Sequence, residues 1–321
     1  MDKLLIFSIF IFLFTLIGTK YLKIFLEYKK ILDIPNKRSS HIKPIPIGGG
    51  WIIVLSIIGI IFLLDPYDKI PGIIAITGLA FISWQDDLKN INVLIRLLFQ
   101  IFFISIYFIY LYFFGFYNQT QLTHIFLVIL ICIWFINIFN FMDGIDGISP
   151  VIVITICTGI IFAYFLNKSE YFPTFEILVI STCLAFLYWN WNPAKIFLGD
   201  VGSIVLGFIC ILSLYWLFLE GNTWHWALSL PMYYILDTTL TLIIRLIKGK
   251  KIWKAHREHY YQKAVQSGMT HSQVVSYITM LQILIIFTCC TIKNPYLVTF
   301  LAFLESLGLI IYFSSKYKKS T

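Results

Sequence analysis

Apolar runs of up to about 20 residues alternate with short polar stretches along the whole chain. A run of that length crosses a bilayer as a helix. The pattern predicts eleven spans, at 4–26, 47–64, 70–84, 92–114, 122–139, 148–166, 175–191, 204–219, 226–247, 274–291 and 296–313. The residue-by-residue alternation of a β-barrel is absent. The first run lacks a cleavage-site pattern and is expected to be a true span, not a removed leader. No break in composition, repeat or low-complexity linker divides the chain. The expected fold is an all-α integral membrane protein, one polytopic domain (1–321) of about 10–11 transmembrane helices.

Composition sharpens this. Of 321 residues, 59% are hydrophobic and only 12% charged, against about a quarter charged in soluble domains. All six cysteines lie in apolar runs, form no CxxC pair and read as small hydrophobes. Eleven spans put the termini on opposite sides. Lys3, Lys69, Lys168 and Lys293 fall on one side, and the other 20 of the 24 basic residues on the other. The basic side is expected to be cytoplasmic, with the N-terminus outside and the tail Lys316-Tyr317-Lys318-Lys319 inside. Topology signalling explains most of these lysines. The face also suits anionic headgroups and phosphorylated substrates, so the bilayer rather than a nucleic acid is the expected partner.

Every unusual polar cluster falls on that same side. The densest is Asn137–Gly147, NIFNFMDGIDG. Asn137 and Asn140 share a helix face, and Asp143 and Asp146 repeat the spacing where glycines loosen the chain. Polar groups at the end of an apolar helix are costly without a job, although a fraying helix end would also look polar. Asp86-Asp87 ends the third run, followed by Lys89. Adjacent carboxylates repel, so they read either as a site for a proton, metal or cation, or as solvated caps. FLGDVGS sets Asp200 between two glycines. Oxygen ligands without Cys or His suit Mg²⁺ held together with substrate phosphates, and Mn²⁺ is the alternative ion. The segment DIPNKRSSH carries Arg38 and His41 and leads to Gly48-Gly49-Gly50, either a phosphate cradle or a helix-packing device. Finally, HREHYYQ supplies His256, Arg257 and His259. Arginine and histidine suit phosphate oxygens, and zinc is the competing reading. Acids and amides for a metal, bases for phosphates and a membrane boundary together point to phosphoryl-group chemistry on a lipid-borne acceptor.

In WQDDLKN, NIFNFMDGIDGIS, FLGDVGS and HREH, in that order, the chain resembles the polyprenyl-phosphate N-acetylhexosamine-1-phosphate transferases. Relatives in that group include undecaprenyl-phosphate GlcNAc-1-phosphate transferase and phospho-N-acetylmuramoyl-pentapeptide transferase. The resemblance implies transfer of a sugar 1-phosphate from a UDP-N-acetylhexosamine to undecaprenyl phosphate, releasing UMP, at the start of O-antigen or other envelope polysaccharide synthesis. It implies that Asn140 and Asp200 hold Mg²⁺, that Asp86, Asp87 and Asp143 are catalytic, the first two beside the lipid phosphate, and that Asp146 lies near the uracil in the cleft that Asp143 also lines. His256, Arg257 and His259 match positions near the diphosphate or sugar. Asn137, Lys89, Arg38 and His41 complete the expected substrate-binding set. HREH departs from the more common HxHH form and looks like the subgroup handling 6-deoxy-N-acetylhexosamines. A multi-pass protein of the bacterial inner membrane with its active site facing the cytoplasm follows, with a homodimer as a further expectation. The reading from a different class is a transporter or lipid flippase with an acidic pathway. A transporter places such groups near the bilayer midplane, whereas here they cluster at one boundary.

Overall fold

The computed structural model describes residues 2–35, 43–64, 66, 68–89, 91–114, 122–253 and 256–320. Arg38 and His41 lie outside the described residues. The helices are α1 (Asp2–Tyr28), α2 (Gly50–Leu64), α3 (Lys69–Lys89), α4 (Val93–Phe113), α5 (Leu122–Phe141), α6 (Ile148–Leu166) and α7 (Thr174–Asn190). They continue as α8 (Asp200–Leu219), α9 (Trp224–Ser229), α10 (Met232–Ile247), α11 (Tyr260–Gln266), α12 (His271–Thr291) and α13 (Pro295–Ser320). Among the described residues the only sheet is the two-residue antiparallel pair β1 (Leu32–Asp33) and β2 (Ile45–Pro46). The protein is thus an all-α polytopic membrane bundle. Among the described residues, seven helices are long and apolar enough to cross a bilayer: α1, α4, α5, α6, α8, α12 and α13. Helices α2 and α7 are shorter and also apolar.

Successive passes reverse direction. Contacts between loops therefore sort the helix ends into two sets. Asp87 meets the start of α8, Ile47 pairs with Phe197, and Asp146 meets both Asn192 and His271, all at one end of the bundle. At the other end Tyr107 bonds Asp68, and Trp224 packs on Tyr296. Every acid-bearing motif of the sequence sits at the first end.

Helix α8 is the central post, packed on α2, α3, α5 and α6. It is the most deeply buried of the long apolar helices, while α1, α4 and α13 turn apolar faces outward. Lipid tails are as apolar as the side chains they meet, so helices here are joined by close packing and polar contacts rather than by the hydrophobic effect. The crossing of α2 and α8 shows this. A Cβ added at Gly50 would lie 2.2 Å from the backbone nitrogen of Gly202, so two backbones touch where only glycine fits. Buried hydroxyls add to this, with Thr15 Oγ1 2.7 Å from Ser56 Oγ between α1 and α2.

Three elements differ from the pattern of runs. The run 226–247 is not one helix: it breaks between Ser229 and Met232, at Leu230-Pro231. Proline donates no amide hydrogen bond and its ring crowds the preceding turn. Helix α3 continues through Asp86 and Asp87 to Lys89, so the acid pair forms its last turn rather than a loop. And the polar stretch 248–272 contains α11, a short helix that becomes important below.

Candidate active site

The ends of α3, α4, α5 and α8 converge on the acid pair. Asp87 accepts from the backbone amides of Asp200 at 2.9 Å and Val201 at 3.2 Å. Its carboxyl therefore caps the N-terminus of α8, but burial, then the charge of Asp200, outweigh the two amides and push it up to about 8. Gly199 makes room: it has φ +75°, and a Cβ there would sit 2.7 Å from Asp87 Oδ2. Asp86 instead accepts from Arg96, whose Nη1 lies 2.6 Å from Oδ2, and from the Ile91 amide at 2.7 Å. The same Nη1 is 3.4 Å from Asp200 Oδ2. One guanidinium from α4 thus bridges the acids of α3 and α8. Arg96 offsets the charges of Asp86 and Asp200, while Lys89 is exposed at the end of α3.

Asn140, on the last turn of α5, donates to Ser203 Oγ at 3.2 Å and also hydrogen-bonds Asp200. The amide and carboxylate proposed as metal ligands are therefore adjacent. Among the described residues no group of three or more His, Cys, Asp or Glu side chains forms a metal cluster. The donor chemistry is two or three hard oxygens, from Asp200, Asn140 and Asp86. Such a set fits Mg²⁺ only where substrate phosphates complete the shell.

The segment after α5 is tied down at several points. Asp143 accepts from Ser149 Oγ at 2.6 Å. Loss of surrounding water pushes its carboxyl up to about 7, against the Ser149 hydrogen bond and helped by the charges of Asp200 and Asp146. Asp146 is buried and behaves in the opposite way. Burial raises it, but hydrogen bonds from His271, Asn192 and the Ala194 amide outweigh this and hold it below the usual carboxylate value. Its Oδ2 lies 2.8 Å from Asn192 Nδ2, 3.1 Å from Ala194 N and 3.3 Å from His271 Nδ1. Gly147, at φ +78°, turns the chain into α6 and donates to Asn190 Oδ1 at 3.0 Å. Asp146 is thus the fastening between three loops.

The HREH loop packs directly on this segment. Tyr261 OH donates to the Phe141 carbonyl at 3.0 Å. A Cβ on Gly144 would fall 2.2 Å from that hydroxyl, so DGIDG and α11 are in intimate contact. His256 and His259 stack with ring centroids 4.9 Å apart, both beside the Phe141 ring. Burial, then the neighbouring His259 and Arg245, push His256 down to about 4, so it is neutral at pH 7. Its Nδ1 accepts from the Glu258 amide at 3.4 Å. A neutral imidazole has one donor and one acceptor, so Nε2 carries the proton. That Nε2 is buried with no partner among the described residues, a donor left over for a ligand. Glu258 is itself held by Arg245 and by Lys250, the latter at 2.9 Å.

The structure thus brings together Asp86, Asp87, Asn140, Asp143 and Asp200, and sets His256, Arg257 and His259 at the same end. Asn137 lies about one turn back along α5, its amide donating to Gln100 Oε1 at 2.9 Å and the Ile133 carbonyl at 2.7 Å. The triple glycine proves a packing device: the amides of Gly49 and Gly50 bond the carbonyls of Phe197 and Leu198, both at 2.8 Å. Arg96, Ser203, Asp237 and His271 join the site without having been singled out. Arg96 and Asp237 could have been flagged as charges inside apolar runs. Ser203 closes the FLGDVGS segment, and nothing marks His271. A cavity of about 520 Å³ opens at the opposite end, between Asp68, Tyr107, Glu176 and Trp216, and shares no residue with this cluster.

Residues 70–217 match the family model of glycosyl transferase family 4, the stretch from α3 to the end of α8. Several curated bacterial proteins are similar over parts of the chain. A probable undecaprenyl-phosphate N-acetylglucosaminyl 1-phosphate transferase of Bacillus subtilis is 31% identical over 124 residues, 37% of this chain and 34% of that protein. The phospho-N-acetylmuramoyl-pentapeptide-transferase of Orientia tsutsugamushi is 28% identical over 156 residues, 42% of this chain and 41% of its own length. The enzyme of that name in Staphylococcus carnosus is 32% identical over 107 residues, 32% and 31% of the two chains. The chain therefore spans well under half the length of these relatives.

Proposed function

We propose that this chain, which belongs through residues 70–217 to glycosyl transferase family 4, transfers a sugar 1-phosphate from a UDP-activated N-acetylhexosamine to a polyprenyl phosphate, releasing UMP. Undecaprenyl phosphate is the acceptor we favour. The observation that carries this is the junction of Asp86, Asp87, Asn140 and Asp200 with Arg96 at one end of an apolar bundle. It joins a water-facing anionic substrate to a lipid-borne one. The bacterial relatives, named for such transfers, support it. In our reading the protein sits in the inner membrane with this end toward the cytoplasm, and initiates an envelope glycan such as an O-antigen.

The acceptor phosphate is largely dianionic at pH 7, if its second pKa is about 6 like that of other monoesters. It needs little activation, so positioning and charge neutralisation carry the reaction. Asp200, Asn140 and Asp86 would hold Mg²⁺, or Mn²⁺, which when bound neutralises the diphosphate and the departing UMP. Arg96 keeps the acids in register and supplies a fixed positive charge between them. Asp87 aligns the first turn of α8, and with it Asp200. The His256 Nε2 donor and Arg257 would receive the sugar or diphosphate. Asp143, whose carboxyl holds its proton up to about 7, is part-protonated at neutral pH. We favour direct attack by the lipid phosphate over a carboxylate nucleophile, because an anionic phosphate needs little activation.

The decisive experiment mixes purified protein and polyprenyl phosphate with a panel of UDP-N-acetylhexosamines and identifies the lipid product by mass spectrometry. A polyprenyl diphosphate sugar with stoichiometric UMP is expected. Label exchange from UMP into UDP-sugar without any lipid would show a covalent intermediate instead. No product or exchange with any sugar would favour the transporter reading.

A further inference from the structure

Asp237 lies on α10, outside every motif, and is fully buried. Its carboxylate gathers four donors and an imidazole nitrogen. The amides of Tyr260 and Tyr261 reach it at 3.0 and 3.1 Å, Tyr233 OH at 3.2 Å and Thr241 Oγ1 at 3.4 Å. The fifth group is His259, whose Nδ1 lies 3.2 Å from Oδ1. Two consequences follow. The free amides that open α11 are already taken, so this helix start is not available to a substrate phosphate. And His259, 2% exposed and stacked on His256, meets Asp237 through Nδ1 while its side chain also faces the Gln262 amide in the capping box of α11.

We propose that Asp237 is the positioning residue of the imidazole pair: it holds the proton of His259 on Nδ1 and so presents Nε2 to the substrate. Backbone amides can only donate, so both Asp237 oxygens act as acceptors, and Nδ1 is the His259 ring atom beside Oδ1. Among the described residues no hydrogen bond engages Nε2. The stack passes the constraint on to His256, whose Nε2–H is the orphaned donor. The register of α10 thereby sets the geometry of the HREH loop. A carboxylate that orients an imidazole through its other nitrogen is a recurrent device, and its loss costs about 10- to 100-fold in function at metal sites. The inference rests on the transferase reading for its kinetic part, and on structure alone for its tautomer.

The test has two arms. Protein labelled with ¹⁵N only in histidine, with His259 assigned through His259→Gln, reports which ring nitrogen carries a proton. We expect a proton on Nδ1, whether or not Nε2 also bears one, and a changed Nδ1 signal in Asp237→Asn. An unprotonated Nδ1 in the parent protein overturns the proposal, and this reading does not depend on Asp237→Asn folding. The second arm is a double-mutant cycle on transfer, with rates taken per folded molecule. Asp237→Asn and His259→Gln should each lower kcat about 10- to 100-fold with a smaller change in KM, and the double variant should be no worse than the more damaged single one. Independent, multiplying losses, or an unchanged kcat in folded Asp237→Asn, would reduce Asp237 to a helix cap and overturn the proposal. A parent protein inactive with every sugar would count against the transferase reading, and the ¹⁵N result would still decide the role of Asp237.

Discussion

Asp143 and Asp146 stand three residues apart and hold protons in opposite ways. Asp143 is desolvated with Ser149 as its one hydrogen-bond donor at 2.6 Å, and its pKa rises from 3.8 to about 7. A carboxyl that binds its proton more tightly folded than unfolded stabilises the fold fully only below the unfolded pKa. That contribution is lost as pH rises from about 4 to about 7, and the loss then levels off. Asp143→Asn removes the charge and keeps the shape. Its melting temperature relative to the parent should therefore rise by a few degrees between pH 5 and pH 8. A difference independent of pH would show that Asp143 is not the group responsible. Asp200 makes a second case. Asp200→Asn deletes an anionic oxygen next to Asn140 and Arg96, and transfer should fall about 100-fold or more, measured across a Mg²⁺ titration. Full turnover at low Mg²⁺ would take Asp200 out of the proposed site. These acids were legible in the sequence because charge is so scarce that each one at a run boundary stands out. Their partners were not. Arg96, Asp237 and His271 act on groups 10, 22 and 125 residues away, and only the packing of helices reveals who meets whom.

Helices were legible to the extent that hydropathy decides them. Ten of the eleven runs became single helices, because a chain in lipid must satisfy its amides within each span. The exception, 226–247, carries its own signal in Pro231, and the break lets α10 start afresh and aim Asp237 at the HREH loop. What hydropathy does not encode is how close two helices come. Gly50 and Gly202 could have served phosphate binding or packing, and the structure shows packing. A methyl at Gly50 would lie 2.2 Å from the Gly202 nitrogen and 2.3 Å from its Cα. Backbone atoms cannot step aside as a flexible side chain can. Gly50→Ala and Gly202→Ala should each destabilise the fold by about 1–3 kcal/mol or more, read as earlier thermal unfolding in detergent. Because α8 begins at Asp200, activity should fall in the same variants even below the melting temperature. A Gly50→Ala protein with parental stability would mean that α2 and α8 do not cross at this point.

At the scale of the whole molecule, the charge pattern and the helix directions make a single prediction. The eleven passes expected from hydropathy would leave the start of α1 at one end of the bundle and the end of α13 at the other, together with the acid cluster. Four of the 24 basic residues, Lys3, Lys69, Lys168 and Lys293, lie at the end without the cluster. Positively charged loops are retained on the cytoplasmic side during insertion. The acid-bearing end should therefore face the cytoplasm, where sugar nucleotides are made. A reporter active only in the periplasm, fused after Thr321, should be silent. The same reporter placed after Ser169, in the turn between α6 and α7, should be active. The pair of fusions separates two ways of failing. Both active, or both silent, would mean an even number of passes between those points, and the path of α9 and α10 would be the first place to look, since Pro231 interrupts it. The reverse pattern, tail active and Ser169 silent, would leave the fold intact but turn the acid cluster away from any UDP-sugar. That outcome would end the transferase proposal more directly than the loss of any one residue.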